Sequence, residues 1–306
     1  MNSEQICMLC NKKARFEFVN RLRDDNTRNA YRCLSCGHVQ VLPLPTQEED
    51  NEFYQRDIMY KSTYTGNNEL QKEENLMYRY RNFVYEQSEQ LEKHLDRSKR
   101  QKILDIGTGY GWLVEVLRGK GFDIDGVELS AEKRELCKKR SGIDIFDWNF
   151  LIDSPDVREK KCYYDVICMM QTLEHISNPK AFLLRASELL KPGGMIFIDV
   201  PNFDDYLKAE LSEYNNFAYT RMHLSYFTPD TLKFCLENSG FDAVETYGHQ
   251  LYSFENALWW LRESRPFLDY HQIDVPKQLH FLNIIYKQKL EAEKKSNLLI
   301  GIGYKK

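Results

Sequence analysis

From residue 101 onward, short apolar runs alternate with stretches whose hydrophobic residues recur at helical spacing. Each run has the length of a strand and is bounded by glycine, proline or polar residues. The seven runs are 103–106, 122–127, 143–146, 164–170, 195–200, 241–249 and 297–304. Helix start signals lie between them, such as Asn178 followed by Pro179. The alternation predicts an α/β fold with a doubly wound, mainly parallel sheet, in which the last strand pairs antiparallel with the sixth.

The residues before this domain follow a different pattern. Hydrophobic residues between Asn68 and Leu95 fall on one helical stripe, which predicts a helix packed on the sheet. Ahead of it, Pro43 and Pro45 are followed by an acidic run typical of a linker. We therefore expect three parts: a small module over residues 1–45, a linker and N-terminal helix over 46–100, and the α/β domain over 101–306.

Two segments of the α/β domain interrupt the alternation. Residues 203–227 have no clear period, are rich in aromatic side chains and contain Arg221 and His223. A long loop at the carboxyl end of a strand is the usual place for substrate contacts in such a sheet. Residues 254–295 are predicted to be a helical insertion, and the pair Trp259–Trp260 at its start marks either a dimer face, a lid or buried packing.

The first strand of the domain runs into a glycine loop. Asp105 is followed by Gly107, Gly109 and Gly111, which let the backbone turn tightly and approach a ligand. Seventeen residues beyond Gly111, the second strand ends in Glu128, an acid well placed to bind two ribose hydroxyls. The pattern indicates a nucleotide-like ligand. An ordinary strand-to-helix turn is the alternative, and the G-x-G-x-G spacing differs from the G-x-G-x-x-G of dinucleotide sites.

The third predicted strand delivers two more candidates to the same edge of the sheet. Asp147 is placed to accept a hydrogen bond from an adenine amino group, and Trp148 to stack on the ring. Core packing is the alternative role for Trp148.

Four of the eight cysteines form two C-x-x-C pairs, Cys7 with Cys10 and Cys33 with Cys36. The pairs are separated by 22 residues, and such pairs direct four thiolates at one tetrahedral zinc ion. Four thiolates leave no open coordination position, so the predicted site is structural. Because so small a ribbon has little apolar core, we expect the metal to supply its folding energy, and loss of the metal to unfold only this module.

Charge and hydropathy argue against general nucleic-acid binding and against a membrane-spanning protein. The net charge of −4 gives no general electrostatic argument for nucleic acid. No apolar run is long enough to span a bilayer, and the polar opening Met-Asn-Ser-Glu is unlike a secretion signal. We therefore expect a cytoplasmic protein with no membrane span.

Several motifs in the correct order resemble those of class I S-adenosylmethionine (SAM)-dependent methyltransferases. They are the loop over residues 105–111, the run Leu173-Glu174-His175-Ile176, the run Leu189-Leu190-Lys191-Pro192-Gly193-Gly194, and Pro201-Asn202 after the fifth strand. The segment 223–232 and the four-cysteine ribbon further resemble one bacterial branch of that family.

The resemblance implies a Rossmann-like sheet of seven strands with its last strand antiparallel, and SAM across the carboxyl ends of strands one to four. Gly107 and Gly109, which follow Asp105 in the loop, would approach the methionine portion of SAM. Asp105 belongs to the same predicted cofactor site, and Glu128 would hold the SAM ribose. The remaining implied contacts are those of Leu129 and Asp147 with the adenine, and of Met170 with the site at strand four. Members of this branch are often linked to methylation of sugars, polysaccharide precursors or other small metabolites.

The predicted function is methyl transfer to a small-molecule acceptor, most naturally an oxygen. A hydroxyl acceptor benefits from a general base, and His223 in the substrate loop and His175 after strand four are the candidates, each with a structural role as the alternative. A carboxylate acceptor would need a clamp, which Arg221, Tyr219 or Tyr226 could offer. An RNA methyltransferase guided by the modestly basic ribbon, and a non-catalytic SAM-binding scaffold, are the competing functions. A homodimer is also left open.

Overall fold

The computed structural model describes residues 4–46, 48–49, 83–150, 155–266 and 276–306. Most of the predicted linker and the first half of the predicted N-terminal helix lie outside these ranges. Residues 83–92 are helical, and the stripe residue Leu91 is fully buried against the sheet. No helix of the described part of the chain is long and apolar enough to cross a membrane.

The N-terminal cysteine module consists of short antiparallel strands. Strands β1 (Gln5–Ile6) and β2 (Lys13–Ala14) pair with each other. Strands β3 (Phe16–Arg21), β4 (Asn29–Cys33) and β5 (Val39–Leu42) form a meander. The Cys7 and Cys33 side chains lie in the same buried cluster as residues of the α/β domain, including Met169 and Leu173. The module therefore shares a hydrophobic core with the domain that follows.

The central sheet contains six strands in the described residues. They are β6 (Lys102–Ile106), β7 (Asp123–Val127), β8 (Tyr164–Met170), β9 (Leu190–Pro201), β11 (Phe241–His249) and β12 (Leu298–Lys305), and their order is β11-β12-β9-β8-β6-β7. Strands β6 to β9 are mutually parallel, and β12 is antiparallel to both β9 and β11. The Rossmann-like arrangement and the antiparallel last strand are confirmed.

The predicted third strand, 143–146, is reduced to a single parallel bridge between Val127 and Phe146. The Phe146 amide donates to the Gly126 carbonyl, and the Phe146 carbonyl accepts from the Glu128 amide. These two hydrogen bonds still bring the chain to the edge of the sheet beside β7.

Helices cover both faces of the sheet. They are α1 (Trp112–Gly119), α2 (Ala131–Ser141), α3 (Pro155–Glu159), α4 (Pro179–Leu189), α5 (Tyr206–Glu210), α6 (Ser212–Ala218), α7 (Pro229–Glu237), α8 (Phe254–Glu263) and α9 (Phe281–Ala292). Helices α2 and α4 are capped as the sequence suggests: the Ser130 hydroxyl accepts from the Lys133 amide, and the Asn178 side-chain oxygen accepts from the Ala181 amide. Trp259 and Trp260 are buried, and Trp260 packs on Tyr214, so both residues have the core-packing role.

The predicted substrate loop contains a strand that joins the two parts of the molecule. Strand β10 (Ser225–Tyr226) pairs antiparallel with β5, and extends the ribbon to a four-stranded sheet of order β10-β5-β4-β3. Nothing in the sequence pattern signalled this pairing. It makes part of residues 203–227 a structural continuation of the ribbon.

Candidate active site

The glycine loop after β6 combines a tightly packed side and an open side. A Cβ at Gly107, where φ is +82°, would lie 2.3 Å from the Thr172 hydroxyl oxygen. At Gly109, φ is +53°, and apart from its chain neighbours no atom of the described residues lies within 4 Å of the Cβ position. Gly107 is thus required by packing against the loop after β8, whereas the open space beside Gly109 is a cradle that a side chain would fill.

Glu128 closes this cradle at the end of β7. Its carboxylate accepts hydrogen bonds from the Gly109 amide at 3.0 Å and from the Ser130 amide at 2.8 Å. Two backbone donors fix the carboxylate in place, and each oxygen keeps a further lone pair for a ligand hydroxyl. This geometry fits a ribose-binding acid.

Asp105 lies below the loop rather than at its surface. The side chain is 2% exposed, and the Cys168 thiol donates a weak hydrogen bond to it at 3.7 Å. Burial, with a further contribution from Glu128, raises the pKa of Asp105 to about 7. The carboxyl group is therefore buried beside β8, and its described hydrogen bond is to Cys168.

The other predicted cofactor residues surround the same edge. Leu129 is 61% exposed, Asp147 is exposed and Met170 is half-buried. Trp148 is buried and stacks face to face on Phe146, with ring centroids 4.0 Å apart, so packing describes its role. At this edge, Leu129 and Asp147 are therefore accessible to a ligand, whereas the Trp148 ring is not available for stacking on one.

His175 and His223 come together on the other side of the loop after β8. Their ring centroids are 5.2 Å apart. His175 Nδ1 donates to the Met222 carbonyl at 2.7 Å, which leaves the lone pair on Nε2. Burial lowers the pKa of His175 to about 4 and, with a contribution from His175, lowers the pKa of His223 well below its usual range. Both imidazoles are therefore neutral near pH 7.

The segment 219–226 that carries His223 is held by the ribbon. Asp24 accepts from the Thr220 hydroxyl at 2.5 Å and from the Arg221 amide at 2.7 Å. The Arg23 amide donates to the Tyr219 carbonyl at 3.0 Å. The ribbon thus fixes the position of the second histidine.

Arg221 and Tyr226, which the sequence offered as a clamp for a substrate carboxylate, are occupied by contacts within the protein. Arg221 is 6% exposed, and its Nε lies 4.0 Å from an Asp25 oxygen. The Tyr226 hydroxyl donates to the Thr220 carbonyl and accepts from its amide. Both groups are committed to internal contacts. No signal in the sequence pointed to another cation in this region, Lys208. Its ammonium lies 4.3 Å from the Phe203 ring centroid and 4.9 Å from the Tyr219 ring centroid.

The four N-terminal cysteines come together as their spacing predicts. Their sulfur atoms all lie within 4.8 Å of one another, and those of Cys7 and Cys36 are 3.6 Å apart. A tetrahedral zinc site with Zn–S bonds of about 2.3 Å places its sulfur atoms about 3.8 Å apart. The cluster of Cys7, Cys10, Cys33 and Cys36 therefore fits one four-thiolate metal ion.

The fold and the glycine-loop site agree with a match to a known family. The sequence model of a protein family described as a methyltransferase domain matches residues 74–246, more than half of the chain. The chain belongs to this family and is a class I SAM-dependent methyltransferase.

Sequence relatives are methyltransferases as well. The chain is 30% identical over 115 residues to a ubiquinone biosynthesis O-methyltransferase of Idiomarina loihiensis, covering 37% of this chain and 47% of the relative. It is 27% identical over 157 residues to the protein of the same name from Azoarcus sp., covering 48% and 67%. The chain thus spans about half to two thirds of the length of these relatives.

A solved structure shows the same fold. A SAM-dependent methyltransferase from Thermotoga maritima, described as a possible histamine N-methyltransferase, superposes with a TM-score of 0.50 at 18% identity. The superposition covers 76% of this chain and 95% of that one.

Proposed function

We propose that this enzyme transfers a methyl group from SAM to an oxygen of a small-molecule acceptor, such as a sugar, a polysaccharide precursor or a secondary metabolite. The observation that carries the proposal is the placement of the two histidines beside the cofactor loop. Thr172 packs under Gly107, and His175 follows three residues later in the same turn. The relatives named as O-methyltransferases support an oxygen acceptor.

The cofactor half of the site would be formed by Gly107, Gly109, Glu128, Leu129, Asp147 and Met170, with Asp105 buried below the loop. Glu128 is fixed by two amides and offers free lone pairs to the ribose hydroxyls. When bound, SAM supplies a methyl group on a positively charged sulfur. The chain's own task is to hold an acceptor oxygen in line with that group, and positioning of this kind contributes several kcal/mol.

The acceptor half has lone pairs at which a hydroxyl proton can be taken up. The hydrogen bond from Nδ1 of His175 to the Met222 carbonyl leaves Nε2 as an acceptor, and His223 faces the same ring. Because burial keeps both rings neutral near pH 7, neither competes with SAM as a second cation. His223 and His175 are therefore our candidates for the catalytic base.

In the ribbon, we propose a structural zinc ion bound by the four cysteines. The sulfur spacing supports this metal, and the closed thiolate set supports a structural role. Through β5 and Asp24, the ribbon would hold the acceptor loop in place.

Glu128→Ala tests the cofactor assignment. We expect SAM affinity to fall at least 100-fold in calorimetric titration, because the ribose hydroxyls lose a fixed charged acceptor. Glu132→Ala, an exposed acid one turn further along, is the matched control and should bind SAM like the wild type. Unchanged affinity in Glu128→Ala would contradict the assignment.

The acceptor class is tested by incubating the wild type with SAM and a panel of hydroxylated compounds, sugars first. Formation of S-adenosylhomocysteine together with an O-methylated product supports the proposal. Methylation only at nitrogen or carbon would overturn the oxygen assignment, and SAM binding without any transfer would favour the scaffold.

A further inference from the structure

Three side chains next to the cofactor loop form a second cluster of possible metal ligands. Glu174, His175 and His223 each offer one ligand atom, and these atoms all lie within 4.8 Å of one another. The cluster contains two imidazole nitrogens and one carboxylate, and no cysteine. It therefore differs in chemistry from the four-thiolate site of the ribbon.

Glu174 is the unusual member. Its side chain is 1% exposed, and neither carboxylate oxygen has a hydrogen-bond partner among the residues that the structure describes. A buried carboxylate without partners is costly, so a counter-charge or a proton is needed. A second buried acid, Asp199, lies close enough to Glu174 to add to the local negative charge.

The neighbouring histidines make no hydrogen bond to the Glu174 carboxylate in the described part of the chain. The shortest approach of His175 Nε2 to a Glu174 oxygen is 3.8 Å, too long for a hydrogen bond. Two ligand atoms that each lie about 2.1 Å from a tetrahedral zinc ion are about 3.4 Å apart, so a shift of a few tenths of an ångström would bring this pair to ligand positions.

His175 is also oriented as metal-bound histidines usually are. Nδ1 donates to the Met222 carbonyl at 2.7 Å, which fixes the tautomer and directs the Nε2 lone pair into the cluster. Metal-ligating imidazoles almost always donate their other N–H to such an oxygen. The Leu224 amide donates to the Glu174 carbonyl at 2.8 Å and so ties the turn of Glu174 to the loop that carries His223.

We propose that Glu174, His175 and His223 bind a divalent transition-metal ion, with zinc as the first ion to test. Two imidazoles and one carboxylate suit such ions, and three protein ligands leave a coordination position for a hydroxyl oxygen. This inference rests on the proposed function, because the open position would take the acceptor.

Coordination would change the role of the two histidines in the transfer, because their lone pairs would hold the ion instead of accepting the acceptor proton. The ion would make an acceptor hydroxyl at its open position more acidic, and the hydroxyl proton would pass to solvent. The acceptor oxygen would then bond to the methyl carbon as the C–S bond breaks, with the bonding pair left on sulfur.

The test counts metal ions in the full-length protein. The wild type and Glu174→Gln are equilibrated with micromolar Zn2+, dialysed against metal-free buffer and analysed by elemental mass spectrometry. We expect two zinc ions per chain in the wild type and one in Glu174→Gln. His94→Gln is the matched control, because His94 lies outside the cluster with its Nε2 bonded to Tyr247, and it should retain two.

Thermal unfolding gives a second readout that does not depend on turnover. Added Zn2+ should raise the unfolding temperature of the wild type and of His94→Gln more than that of Glu174→Gln, because only an intact cluster binds the second ion. Should Glu174→Gln fail to fold, His175→Gln and His223→Gln take its place in both measurements.

A single zinc ion in the wild type, unchanged in the cluster variants, would overturn the proposed site. SAM titrations on the same samples separate the two hypotheses. Retained SAM binding with one zinc ion overturns only the second metal site, whereas absent SAM binding in the wild type overturns the proposed function itself.

Discussion

The two halves of the candidate active site are built in different ways. The cofactor half is local: Asp105 lies in β6, the glycines form the loop that follows it, and Glu128 comes directly after the adjacent strand β7. The acceptor half is assembled from segments far apart in the chain, with Asp24 in the ribbon, His175 after β8 and His223 beside β10. Damage to the ribbon should therefore affect the acceptor half and spare the cofactor half.

The largest effect is expected within the glycine loop. Gly107→Ala would force a Cβ to within 2.3 Å of Thr172 at φ +82°, and should cost roughly 2–4 kcal/mol of stability. Gly109→Ala meets no neighbour among the described residues and should cost only about 1 kcal/mol of backbone strain, yet lose SAM affinity because the methyl group fills the cradle. Chemical denaturation and SAM titration separate the two effects, and equal stability losses would contradict the packing argument.

Loss of the metal bound by the ribbon should have the next largest effect. It should reduce turnover, which depends on the acceptor half, much more than SAM affinity, which depends on the cofactor half. In Cys10→Ser we expect the zinc content to fall by one ion per chain and turnover to fall about 100-fold, while SAM affinity changes less than about threefold. The physical reason is that β5 pairs with β10 and positions His223, whereas the hydrogen bonds that fix Glu128 come from the amides of Gly109 and Ser130.

Cys162→Ser is the control for the same chemical change, because Cys162 is exposed and lies outside the cluster. Equal losses of SAM binding and turnover in Cys10→Ser would show that the two halves are not separable.

Asp24→Ala should have a smaller effect, and the effect should again be on turnover and not on SAM affinity. It removes two hydrogen bonds to Thr220 and Arg221, so we expect turnover to fall about tenfold with SAM affinity unchanged. Glu17→Ala, an exposed acid on β3, is the control. If Asp24→Ala turned over at the wild-type rate, the ribbon would not position the acceptor loop through this residue.

The ribbon also corrects an expectation about independent folding. Its cysteine spacing suggested a module that could unfold alone when the metal is lost. Because Cys7 and Cys33 share a core with Met169 and Leu173, and β5 pairs with β10, we now expect metal loss to loosen the segment 219–226 as well.

The sheet was largely predictable because its central strands β6, β8, β9 and β12 are mostly buried on both faces and appear as apolar runs. The exception is 143–146, which lies at the edge and keeps two hydrogen bonds to the chain beside it. Edge segments carry a weaker hydrophobic signal, since only part of their surface is buried.

The sequence by itself determined the fold class and the four-cysteine cluster, and it predicted the glycine loop as the cofactor site. Each depends on short spacings: glycines at alternate positions, an acid at the end of the next strand, and thiols three residues apart. Only the tertiary structure decided that Glu174, His175 and His223 converge, that Arg221 is occupied by the acids of the ribbon, and that β10 extends the ribbon sheet. These contacts join residues up to 197 positions apart, and no local pattern encodes such a distance because it depends on how the packed layers meet.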